Sequence, residues 1–272
     1  MKTNRRRLRR LPRSRRVPIS RRRFVSLAAA GLAGEVLAAK PIFGLESRSK
    51  RPIKAIAFDA FPIFDPRPVF GLAEQLFPGK GNDLSNEWRT RQFEYTWLRI
   101  ATGRYADFWQ VTQDALVFAA NRLKVDLSPQ QRDQLMNAYL GLKTWPDVAP
   151  ALDALKRAGY RLAFLSNLTP RMLESCIASS GLSGMFEKVL STDQAKTFKP
   201  DPRAYKLGID ALKLSREEIL FVPFAGWDAV GAKAFGYTTY WVNRLGLPAE
   251  ELGEVADGMG SGLSDLVRYL AG

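Results

Sequence analysis

The chain has 272 residues, 46% of them apolar, enough for one large globular domain or one domain carrying a sizeable insertion. Its net charge of +14 suits a nucleic-acid binder only until it is located: residues 1–23 hold one Lys and eleven Arg with no acid, and without residues 1–38, Glu35 included, the remainder carries +3, a value that names no partner. There is no His and a single Cys, Cys176, which excludes Ser-His-Asp and Cys-His catalysis, His-ligated zinc and an intrachain disulfide. Cys176 lies between Leu173 and Ile177 in a helical pattern and reads as a small core residue. Catalysis falls to Asp, Glu, Lys, Arg, Ser, Thr or Tyr.

In chain order, the basic tract is followed by a short apolar run, "FVSLAAAGLAG" (24–34), and by small residues at Ala38 and Ala39. A basic region, an apolar stretch of this length and a small-residue exit are the parts of a secretory signal. Glu35 stops the run short of the roughly 20 residues a spanning helix needs. "SRRRFVS" (20–26) resembles the twin-arginine export motif, with Arg21 and Arg22 as the pair. That resemblance implies residues 1–39 as a leader read by the twin-arginine export machinery, residues 40–52 as a linker, and a folded protein delivered to the periplasm. A basic leader with no address is the competing reading.

Beyond the linker, short apolar runs at 53–58, 160–166, 187–190, 219–223 and 238–242 predict strands buried on both faces. They alternate with helical patterns at 148–158, 170–180, 202–212 and 227–235, three of which end at Gly159, Gly181 and Gly236. Alternation of this kind predicts an α/β fold with a Rossmann-like parallel sheet. Residues 66–145 break it, with several aromatic-rich helical patterns and no convincing strand. They read as a helical cap inserted into a core made of 53–65 and 146–272, placed over the carboxyl edge of the sheet where ligands collect.

The chemistry-bearing residues fall at that edge. Asp59 follows the first strand in "KAIAFDAFPIFD" (54–65), Ser166 and Asn167 close the second, Lys199 stands in "TFKPDPRAY" (197–205) and Asp228 in "FAGWDAVGAK" (224–233). Burial raises the pKa of a strand-end carboxylate, and a neighbouring Lys keeps it anionic and nucleophilic. Asp201 is a predicted N-cap and Pro202 a first helical residue, which would fix the chain around Lys199. Asp228 opens a helix, so capping competes with catalysis there. Ser166 and Asn167 could equally be turn residues.

These motifs, in this order, resemble the haloacid dehalogenase superfamily, and "WRTRQFEYTWLR" (88–99) with "RYADFW" (104–109) resembles the cap of its L-2-haloacid dehalogenase branch. The likeness spans residues 53–245 and is carried further by "LSNLTPRML" (165–173), "KPDPRAY" (199–205) and "WDAVGAK" (227–233). It implies that Asp59 attacks C2 of a small (S)-2-haloacid and expels halide. Water then cleaves the aspartyl ester to an (R)-2-hydroxy acid, with no metal or other cofactor. The resemblance implies Lys199 as charge partner of Asp59, and Arg89 with Asn167 as the halide cradle. Ser166 would be the carboxylate ligand, Tyr205 the support of Lys199, and Asp228 the residue that orients or activates water. Phe93, one helical turn after Arg89, would form the apolar wall with Phe108 and Trp227. The partner is then a small 2-halo or 2-substituted acid, not nucleic acid; a homodimer stays open.

Two stretches depart from the family. Its first motif reads Asp-Ala-Tyr-Gly-Thr-Leu-Phe-Asp, and here Asp59-Ala60-Phe61-Pro62-Ile63-Phe64-Asp65 lacks the Gly and the Thr hydroxyl. Before Trp227 the family has Ser-Ser-Asn-Ala, and this chain has Pro223-Phe224-Ala225-Gly226. Attack on carbon is therefore expected to be better preserved than ester hydrolysis, and a slow or non-catalytic acid-binding homologue is the alternative. The superfamily's phosphatases carry a second Asp two residues after the nucleophile; Phe61 stands there, can donate no proton, and turns the site towards apolar acids.

Overall fold

The computed structural model describes residues 52–272; the leader 1–39 and all but the last residue of the linker lie outside the described residues. Within them, six strands form one parallel sheet in the order β3-β2-β1-β4-β5-β6. The strands are β1 (Ala55–Phe58), β2 (Arg161–Ser166), β3 (Lys188–Ser191), β4 (Ile219–Val222), β5 (Thr238–Val242) and β6 (Gly258–Gly260). The central β1 is buried along its whole length, which explains its unbroken apolar run.

The sequence pattern does not predict the sixth strand, because Gly258-Met259-Gly260 carries no apolar run. Its glycines are needed for another reason: a Cβ on Gly258 would come within 2.7 Å of the Tyr240 ring. Only a bare backbone can pair with β5 (Tyr240 opposite Gly258) at that distance.

Helices cover both sheet faces. Ile56, Phe58, Leu162 and Phe164 pack with residues of α5 (Val148–Arg157), α6 (Pro170–Ser179) and α9 (Leu263–Ala271). Ala55, Ala57, Ala163 and Leu165 pack with α7 (Pro202–Leu212) and α8 (Gly226–Phe235). Gly159, Gly181 and Gly236 follow α5, α6 and α8 at φ of 90°, 68° and 103°, the left-handed stop that Gly adopts most readily.

Between β1 and α5 the chain runs through α1 (Arg67–Leu76), α2 (Gly81–Ala101), α3 (Phe108–Leu123) and α4 (Pro129–Ala138). The Trp88 indole of α2 donates to the Thr112 carbonyl of α3 at 2.7 Å and packs edge-on to Tyr139. Asp65 starts this excursion: its Oδ1 accepts the Arg67 backbone N–H at 3.0 Å, and its carboxylate grips the Arg67 guanidinium at 2.7 Å.

Candidate active site

Asp59 is placed by the sheet. Its backbone N–H donates to Val222 O at 3.0 Å, extending the β1–β4 ladder by one residue and leaving the side chain 8% exposed at the carboxyl edge. Ser166 is the last residue of β2, opposite Ser191 of β3. Lys199 follows the 3₁₀ turn Thr192–Ala195, and just after it Asp201 accepts the Arg203 N–H at 2.8 Å and caps α7, with Pro202 in its first turn. Asp228 stands in the first turn of α8, yet its carboxylate caps nothing: it accepts from Lys199 and Tyr205 instead.

These residues form one buried cluster. Lys199 Nζ donates to Asp59 Oδ1 at 2.9 Å and to Asp228 Oδ2 at 2.6 Å, with Lys199 1% and Asp228 2% exposed. Two carboxylates on one ammonium leave the cluster with a net negative charge. Burial pushes the Asp228 carboxyl up to about 6, with the Asp59 charge adding and Lys199 offsetting only part. For Lys199, burial alone would lower the pKa, but Asp228 and Asp59 outweigh it and the net shift is upward. Tyr205 donates to Asp228 Oδ1 at 2.7 Å, and burial first, then Asp228, holds its phenol well above the usual range. Tyr205 lies behind Asp228 and not on the cavity wall.

Asp59 uses its two oxygens differently. Oδ1 accepts from Lys199 and, at 3.1 Å, from the Ser166 hydroxyl. Among the described residues Oδ2 receives only a long 3.4 Å contact from the Phe61 N–H, so it is the oxygen with lone pairs to spare. The Ser166 oxygen in turn accepts the Leu168 N–H at 3.2 Å.

Asn167 is oriented by its own oxygen, which accepts the Lys199 N–H at 3.0 Å and the Thr192 hydroxyl at 3.2 Å. Its buried Nδ2 has no partner among the described residues, an unspent donor on the wall of a cavity of about 320 Å³. Arg89 of α2 lines the same cavity; its guanidinium lies 5.4 Å from the Phe70 ring, and among the described residues no carboxylate pairs with it. Phe61, Phe93, Phe108 and Trp227 also line it, Phe93 packing 5.3 Å from Trp227.

The two departing stretches meet. Phe61 and Phe224 pack edge to face at 6.0 Å on the cavity wall. The loop between Asp59 and Asp65 is held through its carbonyls: the Trp145 indole donates to Phe61 O at 2.9 Å, and Arg244 donates to Pro62 O at 3.2 and 2.8 Å. Arg244 pairs with Asp147 at 2.9 Å and lies over the Trp145 ring. Sequence reasoning missed Trp145 and Arg244, and no local signal marks either; they converge on the loop only in three dimensions.

Residues 53–236 match the haloacid dehalogenase-like hydrolase family. Haloacetate dehalogenase H-2 of Moraxella sp. (strain B) is 43% identical over 208 residues, 76% of this chain and 93% of the relative. The (S)-2-haloacid dehalogenase of Pseudomonas sp. (strain YL) is 44% identical over 206 residues, 75% of this chain and 89% of the relative. An L-2-haloacid dehalogenase crystal structure superposes with a TM-score of 0.80 at 42% identity, covering 81% of this chain and all 100% of the other. The Xanthobacter autotrophicus L-2-haloacid dehalogenase with chloropropionic acid covalently bound superposes at 0.75 and 35% identity, covering 81% and 99%. The chain belongs to the haloacid dehalogenase-like hydrolase family.

Proposed function

We propose that this protein hydrolyses the carbon–halogen bond of (S)-2-haloacids, giving (R)-2-hydroxy acids through an ester on Asp59. The observation that carries the reading is the division of labour at Asp59: Lys199 and Ser166 hold Oδ1, while Oδ2 stays available beside a cavity bearing an unspent amide donor. Oδ2 attacks C2 as the C–X bond breaks, and halide leaves towards Asn167 Nδ2 and Arg89, donors suited to an emerging anion. Water then adds to the ester carbonyl, giving a proton to Asp228. The acyl–oxygen bond breaks as the leaving oxygen, the former Oδ2, takes the proton back from Asp228. The 2-hydroxy acid departs, and the remaining proton of the water is released to solvent as the carboxylate of Asp59 is restored. A carboxyl near 6 is ionised at neutral pH yet basic enough for that task.

Two observations weigh against the alternatives. A phosphatase of this fold needs a second acid two residues after the nucleophile to protonate the leaving group, and here Phe61 stands there with its ring on the cavity wall. A spent, binding-only site is not favoured, because Asp59 keeps both its Lys199 and Ser166 partners and the relatives are dehalogenases.

The test is incubation with L- and D-2-chloropropionate, following chloride and product chirality. Repeated turnover of the L form supports the reading; one equivalent of chloride followed by arrest means the ester forms and is not hydrolysed. No chloride, with p-nitrophenyl phosphate cleaved only when Mg²⁺ is added, overturns it. We also propose that residues 1–39 export the protein through the twin-arginine route to the periplasm, a reading supported by the basic tract, the apolar run and Arg21-Arg22.

A further inference from the structure

Around Asp59 an apolar face reaches the cavity from beyond β4 and β5, beside Asp228 and Glu250. Ser166, Asn167 and Lys199 reach the cavity from the side of β2 and β3, whereas Phe224, Leu245 and Leu247 reach it from beyond β4 and β5. The apolar side is larger than one methyl group requires. Phe61 and Phe224 pack against each other there, and Leu245 and Leu247 line the cavity while 41% and 53% exposed. A volume of about 320 Å³ falls within the roughly 300–1,000 Å³ typical of sites for drug-sized ligands. A 2-halopropionate, with a single methyl on C2, leaves most of the apolar side uncovered. Glu250 also lines the cavity at that end, and a Cβ on Gly226 would come within 3.0 Å of its Cγ. Its carboxylate disfavours a second acid group on the substrate's far end.

We infer that the face formed by Phe61, Phe224, Leu245 and Leu247 is a subsite for an extended, uncharged apolar substituent on C2, so that the preferred substrates are longer 2-haloacids. The inference rests on the dehalogenase reading above. The physical reason is burial: each methylene taken out of water is worth about fourfold in affinity, and leucines already facing the cavity give the chain a surface to cover.

The experiment measures bromide release from 2-bromopropanoate, 2-bromohexanoate, 2-bromooctanoate and 2-bromosuccinate, with the wild type and Leu247→Asp. Calorimetric binding of the unreactive 2-hydroxy acids of the same chain lengths accompanies it. The expected result is a kcat/KM for the hexanoate at least tenfold above the propanoate, no gain for the succinate, and a hexanoate-to-propanoate ratio cut at least fivefold by Leu247→Asp. Bromide from the propanoate with flat or falling values along the series overturns the subsite and leaves the dehalogenase reading standing. No bromide from any acid overturns that reading, and the binding series then judges the subsite alone: affinity rising with length supports it, and affinity independent of length overturns it.

Discussion

Replacing Lys199 by Met removes the ammonium while keeping a side chain of similar reach. Asp59 and Asp228 each lose a charge-assisted hydrogen bond, at 2.9 and 2.6 Å, in a site where Asp228 is 2% exposed. At an effective dielectric of about 20 and a separation of roughly 5 Å, the two charges repel by about 3 kcal/mol. Removing one partner of a buried pair costs about 3–5 kcal/mol, a large part of the roughly 5–15 kcal/mol that holds a domain together. The loss has a defined pH dependence. Burial already holds the Asp228 carboxyl at about 6 with the ammonium present, and without it the folded-state value rises further above the unfolded one. The stabilising form is then the protonated one, present at low pH and lost as pH rises. The deficit relative to wild type should therefore narrow by about 1–2 kcal/mol between pH 7 and pH 5, since a tenfold change in proton affinity is worth about 1.4 kcal/mol. Urea unfolding followed by Trp fluorescence at both pH values measures this, with halide release expected to fall at least 10³-fold at pH 7. A Lys199→Met protein as stable as wild type at pH 7, or equally deficient at both pH values, refutes the claim that Lys199 balances two buried acids.

Asp59→Asn keeps the shape of the side chain and removes the nucleophile, so halide release should disappear; measurable turnover would reassign the attacking group. Asn167→Asp preserves the oxygen that accepts from Lys199 N–H and Thr192 but replaces the free amide with negative charge. Halide release should fall about 10²- to 10³-fold, with the urea midpoint little changed. Asp228 works ionised and its pKa is raised to about 6, so a pH–rate profile should lose ester hydrolysis as pH falls through about 6 and stay flat up to pH 8. Arg244→Met breaks the half-buried pair with Asp147 and both hydrogen bonds to Pro62 O. Stability should drop about 2–3 kcal/mol, and kcat should fall more than KM rises as the loop after Asp59 loosens. Changing Arg21 and Arg22 to Lys should leave the protein in the cytoplasm on cell fractionation; unchanged export would exclude the twin-arginine route.

How far the residues alone could be read depended on whether the signal was local. Five strands and their intervening helices follow from apolar runs, glycine stops and proline starts, because each is set by the backbone preferences of adjacent residues. β6 escaped that reading: its two glycines show no pattern until Tyr240 is seen to require their bare backbone. For the site, strand-end position marked Asp59, Ser166 and Asn167 as neighbours. Whether Asp228 capped a helix or faced Lys199 stayed undecided until the fold placed the ammonium 2.6 Å from it.

The "DAFPIFD" stretch shows the same boundary from both sides. Its residues determine by themselves that no Thr hydroxyl and no second acid follow the nucleophile, since that is a matter of composition. Only the tertiary structure decides what surrounds the stretch: the Ser166 hydroxyl on Asp59, Phe224 against Phe61, and Trp145 with Arg244 on the loop carbonyls. Each of these partners comes from a segment more than 80 residues away. Hydrogen bonds and ring contacts act over a few ångströms of space, so a distant partner leaves no mark near the position it serves.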